Sequence, residues 1–120
     1  MRAAYCAPYN SAKNRIATLR FVQDIPLNPE DPGYDIISEV EAGLERFVAL
    51  PMTICWGMKD FVFDHHFLAE WQRRFPDAEV HTFDDCGHYI LEDASDEVIT
   101  IIENFLSAHP LDVPSNGQTP

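Results

Sequence analysis

Apolar side chains recur along this chain in two rhythms, a helical period and short unbroken runs. Residues 96–108 are the clearest case: Val98, Ile101, Ile102, Phe105 and Leu106 fall at i, i+3, i+4, i+7 and i+8, one stripe of a helix. Residues 64–75 present Phe67, Leu68, Trp71 and Phe75 at the same period. A helix following Asp35 carries Ile37, Val40, Leu44, Phe47 and Val48, and one over 11–21 carries Ile16 and Leu19, with Val22 continuing their side and Ser11 as N-cap. That helix ends before Asp24-Ile25-Pro26, because the residue preceding a proline is pushed out of the helical region. Pro26, Pro29, Pro32 and Gly33 make 27–33 a loop.

Two stretches read as strands. Residues 52–56, after Pro51, are an apolar run of strand length without strict alternation, the habit of parallel strands covered on both faces. Residues 79–83, after the Pro76-Asp77 turn, alternate polar and apolar. The predicted order is β-α-β-α with about four helices in all, an α/β arrangement whose parallel strands are joined by a crossover helix. Two strands leave long unpaired edges, and four apolar helix faces need a wider sheet, so the pattern resembles one end of a larger sheet. Residues 110–120, with Pro, Ser, Asn, Gly and Gln and no periodicity, are expected to be a disordered tail.

Composition narrows the function. At 46% hydrophobic and 23% charged, the 120 residues suit a globular domain, and no apolar run is long enough for a membrane-spanning helix. A net charge of −12 argues against nucleic acid or anionic lipid as partner. Cys6, Cys55 and Cys86 are odd in number and scattered, which suggests neither a disulfide framework nor a zinc site. The opening residues do not read as a signal peptide, and a cytoplasmic location fits these features. Oligomeric state is left open.

Two loops carry candidate chemistry. Trp56-Gly57-Met58-Lys59-Asp60 stands at the end of the first strand, and Asp85-Cys86-Gly87-His88-Tyr89 just after the second. In open α/β sheets the carboxyl ends of the strands form the functional crevice, so Asp60 and His88 are expected on one rim, on adjacent strands. A carboxylate against one ring nitrogen of a histidine fixes its tautomer and frees the other nitrogen as a base. Taken singly, each residue has a plainer reading: an Asp four residues after a strand is usually a turn or cap residue, and a loop His is usually exposed and inert. Gly57 and Gly87 suit tight turns that aim the following side chains.

The pattern W-G-x-x-D near a strand end, F-P-x-A-E before the next strand, then G-H-Y-x-x-E-D and a helix ending in F-L, resembles the C-terminal third of α/β-hydrolases over about residues 5–107. It looks most like the haloalkane dehalogenase and epoxide hydrolase branch. The stretch Trp56-Gly57-Met58-Lys59-Asp60-Phe61-Val62-Phe63-Asp64 leans towards the β-lactone decarboxylases of olefin biosynthesis. The resemblance implies a partial α/β-hydrolase fold: residues 1–26 as the end of a cap and its return helix, and 27–109 as the C-terminal part of the core with its last two strands. It implies Asp60 as triad acid and His88 as catalytic base. Tyr89 would stand beside the pocket and Trp56 and Phe61 would support it, which makes Tyr89 and Phe61 the candidate substrate-binding residues. Cys86 stands where Ala is commoner. The implied substrate is a small or alkyl-chain molecule, with no cofactor. Neither a G-x-D-x-G nor a G-x-S-x-G elbow occurs, so the nucleophile is absent and the chain alone is expected to be inactive.

Two other readings compete. His65-His66, His81 and His88 with nearby acids and Cys86 suggest a metal site, but adjacent helical residues diverge by about 100° and no H-E-x-x-H is present, so no metal is expected. Alternatively the chain is a non-enzymatic module that binds or dimerises through an open sheet edge. A clean symmetric dimer by size-exclusion would favour that module.

Overall fold

A computed structural model describes residues 2–110; residues 111–120, where the disordered tail is expected, lie outside the described residues. The chain divides into two compact units between Leu44 and Glu45.

The first unit is helical. Helix α1 (Arg2–Cys6) leads into a single 3-10 turn, Ala7–Tyr9, with Pro8 near its start. Helix α2 (Ala12–Gln23) begins where Ser11, in extended conformation, accepts the Asn14 N–H on its side chain at 3.2 Å. This cap occupies one of the four donors that a helix start leaves without partners. At the other end Asp24 N–H closes on Arg20 O at 2.9 Å, and the chain leaves the helix before Pro26. In the loop that follows, the Asp31 carboxylate accepts from the backbone N–H groups of Leu27 and Asn28 at 2.9 and 2.8 Å. Those bonds favour its charged form and hold it below the ordinary carboxylate range. Gly33 takes a left-handed φ of 88° and opens α3 (Tyr34–Gly43). The pattern that predicts helix to Val48 is only partly obeyed: after Gly43 the chain tightens into a 3-10 turn, Leu44–Phe47.

The second unit holds the sheet. Strand β1 (Thr53–Gly57) is followed by α4 (His65–Arg74) and β2 (Glu79–Phe83). The strands pair in parallel with Thr53 opposite Glu79 and Gly57 opposite Phe83. Asp64 caps α4, its carboxylate accepting the His66 N–H at 2.9 Å, while Arg73 and Arg74 complement the negative end of the helix. After β2 come one helical turn, α5 (Ile90–Asp93), and the long α6 (Ser95–Ala108). The α/β order β-α-β-α is as predicted. The four expected helices are all present, and α1 and α5 are additional.

Leu68, Phe75, Cys86 and Val98 form the buried core of this unit. The α6 stripe is wider than the surface it covers. Val98 is buried and Ile101 and Phe105 are half-buried, yet Ile102 and Leu106 face solvent. A two-stranded sheet is too narrow for these apolar faces, as the sequence pattern implies. No helix among the described residues is long and apolar enough to cross a membrane.

Candidate functional site

Because β1 and β2 are parallel neighbours, the loops that follow them leave from the same rim. Two backbone bonds continue the pairing beyond the strands, Met58 N–H to Phe83 O at 2.9 Å and Lys59 N–H to Cys86 O at 2.9 Å, and a turn closed by Cys86 N–H on Phe83 O at 3.2 Å shapes the second loop. Gly57 is buried where the loops meet. A Cβ there would stand 2.7 Å from Cys86 O and closer still to Gly87 O, so only glycine permits this approach.

This stitching brings Asp60 and His88 together. His88 Nδ1 lies 3.0 Å from Asp60 Oδ2 and 3.1 Å from Oδ1. An ionised carboxylate only accepts, so Nδ1 carries the proton and Nε2 is the basic nitrogen. Oδ1 of Asp60 also accepts the N–H groups of Val62 at 2.7 Å and Phe63 at 3.0 Å. The Asp60 side chain is 11% exposed and that of His88 30%. Burial pushes the Asp60 carboxyl up, but the His88 bond, the two backbone donors and the charge on His88 outweigh it, leaving the group below its ordinary value.

Aromatic rings surround the imidazole. Tyr89 meets it edge-on with centroids 5.4 Å apart, Phe63 lies at 5.7 Å and Phe61 at 6.0 Å. Tyr89 and Phe61, the candidate substrate contacts, are 63% and 83% exposed, so both present surface to a molecule arriving at His88. Trp56 makes no ring contact with His88 among the described residues; it lines a groove along β1 with Met52, Ile54 and Trp71. Phe63 and Asp93 were not singled out from the sequence, although both lie within the quoted motifs. Asp93 accepts the Gly87 N–H on Oδ2 at 2.9 Å, a tie that spacing alone does not reveal.

Cys55 and Cys86 are poor nucleophiles here. Burial raises the thiol of Cys55, and burial followed by the charges of Asp93, Glu97 and Asp85 raises that of Cys86 against a smaller pull from Lys59. Lys59 and Asp85 pair at 2.6 Å across the two loops with side chains 62% and 95% exposed, a geometry that contributes little to stability.

Adjacent histidines inside a helix point apart, but at the first turn of α4 the rings of His65 and His66 lie 4.0 Å apart. With Asp64 they bring three possible ligand atoms within 4.8 Å of one another, all on exposed residues. Asp64 Oδ1 accepts the His66 N–H of the cap, and the positive end of a helix disfavours a cation there. His81, His88 and Cys86 are not members of this cluster.

A family profile described as "alpha/beta hydrolase fold" matches residues 2–95. The chain belongs to the α/β-hydrolase fold family. This α/β-hydrolase chain is 60% identical over 107 residues to a protein of Shewanella oneidensis named cis-3-alkyl-4-alkyloxetan-2-one decarboxylase, covering 89% of the chain and 34% of that relative. It is 46% identical over 111 residues to a protein of the same name from Xanthomonas campestris pv. campestris, covering 92% of the chain and 37% of that relative. The chain thus spans about a third of the length of the curated relatives it matches. An oxetan-2-one is a β-lactone, so the resemblance to β-lactone decarboxylases is borne out at the level of sequence.

Proposed function

We propose that this chain supplies the acid and the base of a dehalogenase-type nucleophile–acid–histidine site, and that the whole enzyme acts on a β-lactone bearing alkyl chains. The observation that carries the reading is the Asp60–His88 pair at 3.0 Å on adjacent strand tips. The likeness to the two oxetan-2-one decarboxylases supports the substrate class. In this reading Asp60 holds His88 with Nδ1 protonated, and Nε2 takes up or returns a proton during turnover. The nucleophile attacks carbon or the lactone carbonyl to form a covalent intermediate; where that is a simple ester, His88 activates water against it. For a 3,4-dialkyl oxetan-2-one the net change is different: the ring oxygen and the carbonyl group leave as carbon dioxide, the two remaining ring carbons are joined by a double bond, and no water is consumed, so the hydrolytic step belongs to ester substrates only. Tyr89 and Phe61 flank the alkyl chains.

No hydroxyl, thiol or second carboxylate hydrogen-bonds His88 among the described residues, which supports a nucleophile supplied from elsewhere in the polypeptide. Purified alone, the 120-residue chain is then expected to turn over neither a dialkyl oxetan-2-one nor a simple ester. In a longer polypeptide that completes the site, Asp60→Asn should lower turnover by about 10⁴-fold through the wrong imidazole tautomer. Activity of the isolated chain that vanishes in His88→Ala would overturn the assignment of the nucleophile elsewhere. Undiminished turnover of the longer enzyme after Asp60→Asn would overturn the role of the pair.

A further inference from the structure

We infer that Asp93 is a positioning residue for His88, holding the histidine loop in register against the Asp60 loop. The inference rests on the reading of Asp60 and His88 as the acid–base pair. Asp93 is tied to both neighbours of the histidine: its Oδ2 accepts the Gly87 N–H at 2.9 Å, and its own N–H donates to Tyr89 O at 3.0 Å. His88 therefore sits inside a small closed ring of backbone and side chain running from Gly87 to Asp93.

On its far side the same stretch is pinned to the first loop, by the Lys59 N–H on Cys86 O and by the contact that leaves Gly57 no room for a Cβ. The Cys86–Gly87 backbone is thus held by the Gly57–Lys59 backbone and by the Asp93 carboxylate together. Loss of either hold leaves the imidazole of His88 free to turn away from Asp60.

The plainer role for an acid at this place would be to cap α6, which starts two residues later. That helix has no side-chain cap, and the Asp93 carboxylate is spent on Gly87 instead. A side chain that only stabilised the α5–α6 turn would have no reason to reach back six residues.

The test uses the ¹⁵N-labelled 120-residue chain and two signals, the hydrogen-bonded Nδ1–H proton of His88 and solvent exchange of the Gly87 amide, with the Leu68 amide as an internal reference. Asp93→Ala should speed Gly87 exchange about tenfold relative to Leu68 and broaden away the Nδ1–H signal. Asp93→Asn keeps an acceptor oxygen and should retain both signals. An Nδ1–H signal unchanged in Asp93→Ala would show a merely structural role and overturn the inference. If Asp93→Ala unfolds the chain, Asp93→Asn decides: a retained Nδ1–H signal supports the inference and a lost one defeats it. Asp60→Ala, which leaves the Nδ1–H no acceptor, separates the two claims. A His88 signal that survives it defeats the acid–base reading itself, whereas one that vanishes there but persists in Asp93→Ala defeats only the role of Asp93.

Discussion

Gly57→Ala tests the idea that close backbone approach, rather than the exposed Lys59–Asp85 pair, joins the two loops. The added methyl would meet the carbonyl oxygens of Gly87 and Cys86, with the Cys86 contact at 2.7 Å against an ordinary limit near 3.4 Å. Both obstacles are backbone atoms next to His88, so no side chain can swing aside and the loop itself must retreat. Overpacking of this kind costs about 1–3 kcal/mol. Retreat also lengthens the Lys59 N–H bond to Cys86 O, now 2.9 Å, which adds about 1 kcal/mol. The expected loss is therefore about 2–4 kcal/mol, read as a lower denaturation midpoint at unchanged slope. The Nδ1–H signal of His88 should fade in the same variant, because a retreat of Gly87 opens the Asp60–His88 bond. A stability within about 0.5 kcal/mol of the parent, with that signal intact, would refute the reasoning.

Two further outcomes follow from the same unit. The folded Asp60 carboxyl titrates below its ordinary value, so its contribution is complete above the unfolded pKa near 3.8 and is lost as pH falls through the lower folded value. Parent and Asp60→Asn should accordingly differ in stability at pH 6 and converge on acidification, and a gap constant from pH 6 to pH 2 would count against the pair. Leu68, 5% exposed on α4, belongs to a core of few residues, and Leu68→Ala should cost about 2–5 kcal/mol; a melting temperature unchanged by that truncation would mean the α4 contact is not part of the cooperative core.

The elements that the sequence made legible are those long enough to show a period or sharply bounded by chemistry. Val98 to Leu106 repeats over about two and a half turns, and Ser11 marks the start of α2 because a hydroxyl there has a definite partner, Asn14 N–H. The pairing of Asp60 with His88 was legible for a topological reason: parallel neighbours release their loops at one rim. Helices α1 and α5, with five and four residues, are too short for any period to declare itself. The run from Ile37 to Val48 continues in helical step past Gly43, yet the backbone tightens at Leu44, and apolar spacing cannot distinguish the two turns. Asp93 escaped notice because its partner is a backbone amide, which has no signature in side-chain identity. Phe63 escaped because only the turn held by Asp60 Oδ1 brings its ring to the imidazole.

The placement of acid and base on two consecutive strand tips has a consequence for the proposed enzyme. Every contact that orients His88, from Asp60, Gly57, Lys59 and Asp93, comes from residues 57–93, so the tautomer is set within this unit and needs no nucleophile nearby. What the unit does not set is the dielectric around the pair. Phe61 and Tyr89 stand largely in solvent, and the imidazole is 30% exposed, so water reaches the pair. In the proposed enzyme, chemistry at Nε2 would therefore depend on polypeptide that covers these rings and brings the nucleophile to the open nitrogen. The two contributions are separable in physical terms: orientation arises inside the second unit, whereas in the proposed enzyme desolvation and attack would come from polypeptide packed against it.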